Sequence, residues 1–108
     1  MWGTSQRLQK KYGQRRVFDT PLSEGAIIGT AVGVAMTGLR PIAEIMYFDF
    51  ITVAMNPLNQ CAMLRFMSGK QLKIPLVVFA QFVVANVSGD SPRHRSCDAA
   101  ICYGHDWL

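Results

Sequence analysis

The longest regular stretch of the chain is residues 23–38, Ser-Glu-Gly-Ala-Ile-Ile-Gly-Thr-Ala-Val-Gly-Val-Ala-Met-Thr-Gly, apolar and small-residue throughout except for Glu24 at its start. Pro21 suits a first helical turn, and Thr20 or Ser23 can cap it, so Asp19-Thr20-Pro21 reads as a strand end or turn feeding a buried helix that closes at Gly38. Gly25, Gly29 and Gly33 recur every four residues and so share one face. Each costs helix stability relative to alanine, and the repetition predicts close approach of another backbone or a ligand. Ahead of this helix, residues 5–12 form a short basic helix stopped by Gly13, and Val17-Phe18 a short buried strand. After it, residues 41–47 are apolar and mixed, as in a strand of a parallel sheet. Phe48-Asp49-Phe50 opens a second apolar helix that ends at Ser68-Gly69, with Pro57 predicted to kink or break one turn inside it. Residues 75–80, Pro-Leu-Val-Val-Phe-Ala, are the clearest strand. Strands alternating with helices argue for α/β layers joined by right-handed crossovers.

Composition narrows the class. With 108 residues, half of them hydrophobic, the chain suffices for one small domain with a modest core and is no disordered segment. Small-xxx-small spacing also serves helix pairing in lipid, but residues 25–38 fall short of the about 20 apolar residues a bilayer needs. The formal charge of +4 owes much to Arg7, Lys10, Lys11, Arg15 and Arg16. No aromatic interleaving accompanies them, so they read as the solvated face of a short helix and not a nucleic-acid patch. Three cysteines, Cys61, Cys97 and Cys102, with no visible signal peptide, favour free thiols in a reducing compartment. His94, Cys97, Cys102 and His105 are zinc-ligand types, though the four-residue gap between the cysteines is longer than in most structural knuckles. Met55, Met63 and Met67 read as core filler.

Several linked motifs go further than periodicity. They are Arg16-Val17-Phe18-Asp19-Thr20-Pro21-Leu22-Ser23-Glu24, the Glu24-x4-Gly29-x3-Gly33 spacing, Thr37-Gly38-Leu39-Arg40-Pro41-Ile42-Ala43-Glu44, and Phe48-Asp49-Phe50. Together they resemble the beta subunit of the thiamine-diphosphate-dependent decarboxylating component of 2-oxo acid dehydrogenase complexes, the group handling pyruvate, branched-chain 2-oxo acids and acetoin. The resemblance is nearly continuous from Gly3 to about Val78 and patchy beyond. It implies an α/β fold, a partial transketolase-like pyrimidine-binding domain with a parallel sheet flanked by helices. It also implies that residues 1–108 form one such domain truncated at both ends, with 81–108 a diverged tail in which Tyr103-Gly104-His105 echo the family's next helix. A truncated domain of this kind leaves a sheet edge open beside Val17-Phe18.

The resemblance assigns chemistry residue by residue. Glu24 stands at the family's carboxylate that hydrogen-bonds N1′ of the aminopyrimidine of thiamine diphosphate. There it favours the tautomer whose nitrogen removes the thiazolium C2 proton, and burial at an apolar helix helps the carboxyl share a proton. Phe50 matches the aromatic that stacks on the pyrimidine, and Met46, at a strand end, is a further cofactor contact. His94 matches an active-site histidine that donates a proton during decarboxylation and acyl transfer to lipoyl. Leu76 aligns with a backbone carbonyl holding a monovalent cation such as K+. Magnesium and diphosphate belong to the alpha subunit in this family, and the chain correspondingly lacks a phosphate-cradling glycine loop. The implied partners are that alpha subunit, a second beta subunit and the lipoyl acyltransferase core, with neither nucleic acid nor membrane among them. The implied location is cytoplasmic in a bacterium and the mitochondrial matrix in a eukaryote. The function expected is a share in oxidative decarboxylation of a pyruvate-like 2-oxo acid, with the isolated chain inactive. The alternative is a subunit-interaction fragment without chemistry.

Overall fold

A computed structural model describes residues 6–84 and 95–103. In chain order it contains α1 (Gln6–Tyr12), α2 (Glu24–Met36), β1 (Ile42–Ile45), a 3-10 helix (Phe48–Ala54), α3 (Met55–Met67), β2 (Leu76–Val84) and β3 (Arg95–Tyr103).

The first turn of chain departs from expectation. α1 stops at Gly13, whose φ of +81° suits glycine, and the Gly13 amide donates to the Gln9 carbonyl at 2.8 Å. Val17 and Phe18 form no strand. The Val17 amide donates back to the Gly13 carbonyl at 3.0 Å, and its carbonyl accepts the Gln9 side-chain amide at 3.1 Å, so its backbone groups are spent on a local turn. Phe18 is 61% exposed, and the open sheet edge expected beside it is absent because there is no strand there.

α2 begins at Glu24, three residues later than Pro21. Ser23 precedes it with non-helical backbone (φ −165°), and its carbonyl accepts from Ile27 at 2.9 Å, but its hydroxyl makes no capping bond. At the other end the Thr37 and Gly38 amides reach back three residues, to Val34 (3.2 Å) and Ala35 (3.0 Å), and Gly38 turns away at φ +91°. Tightening of this kind satisfies terminal carbonyls and closes the helix at Met36.

β1 and β2 pair in parallel, Ile42 opposite Val77 through Ile45 opposite Ala80, as a parallel sheet requires. β3 is antiparallel to β2, from Leu76 opposite Tyr103 to Val84 opposite Arg95. The sheet order is β1-β2-β3, so the sheet is mixed, and part of the segment that echoes a helix is a strand. The reason lies in β2: along nine residues its edge away from β1 presents backbone groups that need partners. Nine paired residues outweigh the helix preference of Ala99 and Ala100.

One face of the sheet carries the core. Ala43 and Ile45 align with Val78 and Ala80 and, with Leu76, are fully or nearly buried. Over them lie Ile28, Ala31, Val32 and Ala35, a single helical stripe of α2. Ile51 and Ala54 of the 3-10 helix and Leu58 and Cys61 of α3 complete the cluster. On the other face Val77 and Phe79 are half-buried and Ile42 is exposed. Exposed apolar side chains also mark α3, where Met55, Met63, Phe66 and Met67 face outward, so none of the three methionines is core filler. Among the described residues no helix is long and apolar enough to cross a membrane.

Pro57 does not kink the second helix from inside. It occupies the first turn of α3, where its missing N–H leaves no bond unmade, and the residues ahead of it are wound as a 3-10 helix.

Two measurements check this packing. Leu58→Ala removes a side chain that is 1% exposed and should cost about 2–5 kcal/mol in urea unfolding, whereas Phe66→Ala, at 82% exposure, should stay within about 0.5 kcal/mol. Burial pushes the Cys61 thiol above its ordinary value of 9.0, against a smaller opposing pull from Arg65. Both states are protonated below that value; as pH rises past it the unfolded chain ionises first, so stability should fall. Denaturation from pH 7 to 10 should show that decline, and Cys61→Ala should flatten it.

Candidate functional site

The layout of the chain gathers most of the sequence-nominated residues at one edge. Residues 37–41 lead from the C-terminal end of α2 directly to the start of β1, so the start of α2 is directed to the edge where β1 ends. The 3-10 helix begins just past that edge, and α2 packs against it. The glycine contacts fix the approach. A Cβ placed on Gly25 would lie 3.8 Å from the Val53 carbonyl oxygen, and one on Gly29 would lie 3.9 Å from the Pro57 Cβ. Two of the three spaced glycines thus run beside the 3-10 helix and α3 of the same chain. A Cβ on Gly33 would meet nothing within 4 Å, and Gly29 and Gly33 are both exposed.

Glu24 is the first residue of α2, half-buried, in the place where the helix dipole favours a carboxylate. Its side chain makes no hydrogen bond or ion pair with another described residue. Met46 and Tyr47 follow immediately on Ile45, the last residue of β1, and both are exposed. Phe50, in the first turn of the 3-10 helix, is 50% exposed and meets the Tyr47 ring edge-on, with centroids 6.3 Å apart and planes at 70°. Open α/β sheets bind ligands at this carboxyl edge of the strands. A carboxylate next to exposed aromatic and thioether surface suits a planar heteroaromatic ring, which takes a hydrogen bond at its rim and stacking on its face.

Two other nominated residues are not in this group. Leu76 opens β2 at the opposite edge of the sheet, fully buried, so a cation on its carbonyl would stand apart from Glu24. His94 lies outside the described residues, as does His105. The zinc arrangement loses its centre: positions 97 and 102 both fall within β3, about 17 Å apart along an extended strand and beyond the reach of one tetrahedral ion. Among the described residues no three metal-ligating side chains cluster. Tyr47, the last residue of the strand-like stretch 41–47, joins this group beside Met46. Its ring contact with Phe50 was signalled by the three-residue spacing, which makes neighbours in either helix type.

Residues 3–105 match the family described as transketolase, pyrimidine binding domain. The chain is 42% identical over 102 residues to the mitochondrial pyruvate dehydrogenase E1 component subunit beta of Bos taurus, covering 94% of this chain and 28% of that protein. It is 50% identical over 72 residues to the corresponding subunit of Acholeplasma laidlawii, 66% of this chain and 22% of the relative. A chloroplastic relative, subunit beta-3 of Arabidopsis thaliana, is 47% identical over 72 residues, 66% of this chain and 18% of its own length. The chain therefore spans about a quarter of the length of the curated relatives it matches.

The open space at Gly33 gives a direct test. Gly33→Ala introduces a methyl into an exposed helix interior and should stabilise the isolated chain by about 0.5–1 kcal/mol in urea unfolding.

Proposed function

The chain belongs to the transketolase pyrimidine-binding domain family, and on that premise we propose that it holds the aminopyrimidine of thiamine diphosphate within the beta subunit of a 2-oxo acid dehydrogenase. The observation that carries the reading is the half-buried carboxylate of Glu24, without a side-chain partner among the described residues, at the same sheet edge as the exposed Phe50 and Met46. The residues fit the ring: it needs one carboxylate at its rim and apolar surface on its face, and this edge offers both.

Glu24, Phe50 and Met46 would hold the cofactor's aminopyrimidine here, and the chemistry it would supply is that of a nucleophilic thiazolium carbon. The chain's own contribution is positional and protonic. Glu24 holds a proton in a hydrogen bond at the pyrimidine N1′, and the low local polarity around α2 strengthens that bond. Phe50 stacks on the ring, and Met46 covers it against water. His94 serves as proton donor to the reacting substrate, and the Leu76 carbonyl holds a monovalent cation that supports the sheet away from the chemistry. In this reading the diphosphate and its Mg2+ fall to an alpha subunit, which the absence of a phosphate-cradling glycine loop from these residues supports. Similarity to pyruvate dehydrogenase E1 beta subunits supports pyruvate as the 2-oxo acid, a lipoyl group as acyl acceptor, and assembly with an alpha subunit and a second beta subunit. The compartments in the relatives' names differ, mitochondrial and chloroplastic, so the location follows the organism.

Glu24→Gln tests the reading. In a preparation assembled with an alpha subunit and thiamine diphosphate, the variant should slow exchange of the cofactor C2 proton at least a hundredfold, as loss of a general acid–base contribution would. Assembly should be unchanged by sedimentation. Unaltered exchange removes Glu24 from the chemistry, and assembly without cofactor-dependent turnover in the unsubstituted chain favours a purely interacting role.

A further inference from the structure

Runs of 3-10 helix longer than three or four residues are uncommon, yet Phe48–Ala54 is wound this way over seven. Its bonds fit that winding: the Phe50 amide donates to Tyr47 at 3.1 Å, the Met55 amide to Thr52, and the Thr52 hydroxyl to the Asp49 carbonyl at 3.1 Å. The core-facing residues follow the same period. Phe48, Ile51 and Ala54 are three apart, and the spacing lengthens to four only between Ala54 and Leu58, where α3 has taken over.

The cause lies at residue 57. An α-helix extended upstream from α3 would require the amide of residue 57 to donate to the Val53 carbonyl. Proline has no such amide, and its ring collides with a carbonyl held in that position. The Val53 carbonyl instead lies against Gly25, the residue after Glu24.

We propose that Pro57 is a positioning residue, which bars α winding ahead of itself and thereby sets the Phe50 ring relative to Glu24. The inference rests on the cofactor reading above. In 3-10 winding, three residues complete a turn, so Phe50 and Val53 stand one above the other; α winding would offset them by about 60° and shorten the rise between them from ~6 Å to ~4.5 Å. Such a displacement takes an aromatic face off a ring that stacking must meet nearly parallel. Because Pro57 sits in the first turn of α3, replacing it leaves the bonds of that helix intact.

Pro57→Ala is therefore the test, read by NMR on the 108-residue chain, alone and mixed with a pyruvate dehydrogenase E1 alpha subunit, with thiamine as the probe. The new amide at position 57 should be protected from exchange at least tenfold over its unfolded rate, with α-type carbon shifts across residues 48–54. Thiamine affinity should fall at least fivefold while the unfolding midpoint holds or rises, a split that a merely structural proline would not produce. Protection at position 57 with unchanged thiamine affinity overturns the positioning role. An unprotected amide with unchanged shifts shows that Pro57 does not set the winding. Absence of any thiamine-induced shift in the unsubstituted chain brings down the cofactor reading, and this inference with it.

Discussion

Everything in the fold is arranged around one contact, the α2 stripe of Ile28, Ala31, Val32 and Ala35 lying on the face of β1 and β2. Ile28 and Ala35 are fully buried there, as are Leu76 and Val78 beneath them. A fully buried aliphatic side chain contributes about 1.5–3 kcal/mol, so a handful of such residues supplies most of the stabilisation available to a small domain. The contact also fixes direction. With its C-terminal end tied to the start of β1 by residues 37–41, α2 delivers its first residue, Glu24, to the strands' carboxyl edge. The carboxylate is placed there by helix packing; the hydroxyl of Ser23 contributes no capping bond.

A second constraint governs the flank of α2. Gly25 and Gly29 present no side chain toward Val53 and Pro57, which lets the 3-10 helix and the start of α3 lie alongside the first two turns. A Cβ at either position would still make only ordinary van der Waals contact, so the glycines ease this approach and do not make it possible. Their cost in helix stability is offset by the burial of α2's other face, not by a clash avoided. A Cβ at Gly33 would meet nothing within 4 Å among the described residues, which separates it from the other two.

The core is one-sided. Residues 43, 45, 76, 78 and 80 are covered by α2, the 3-10 helix and α3, whereas Ile42 is 73% exposed on the opposite face and Val77 and Phe79 are only half-buried. Sheets with parallel pairing are ordinarily covered on both faces, which explains why residues 76–80 of β2 read as an unbroken apolar run even though only alternate ones reach the core. The same apolar content that made the strand legible leaves surface to be covered.

What the sequence by itself determined is what depends on near neighbours. The α2 helix, the β1 and β2 strands, and the glycine stops at Gly13, Gly38 and Gly69, each with positive φ, were legible because propensity, periodicity and φ preference act within a few residues. The linked motifs around Glu24 and Phe50 likewise identified the family, since residue type and spacing survive in the text itself. Tertiary structure alone decided the rest. Val17-Phe18 carries strand-forming residues, but a strand needs a partner, and the turn on Gly13 took its backbone groups first. The stretch from Arg95 to Tyr103 became a strand because the edge of β2 away from β1 offers nine residues to pair. Pro57 showed that a helix must be interrupted; only the alignment of Phe48, Ile51 and Ala54 against the core fixed the interruption as 3-10 winding ahead of it. The strand at 95–103 and the winding of residues 48–54 turn on pairing or packing surfaces distant in sequence, which no local preference encodes; at Val17 it was a competition between a nearby turn and a sheet partner that never arrived.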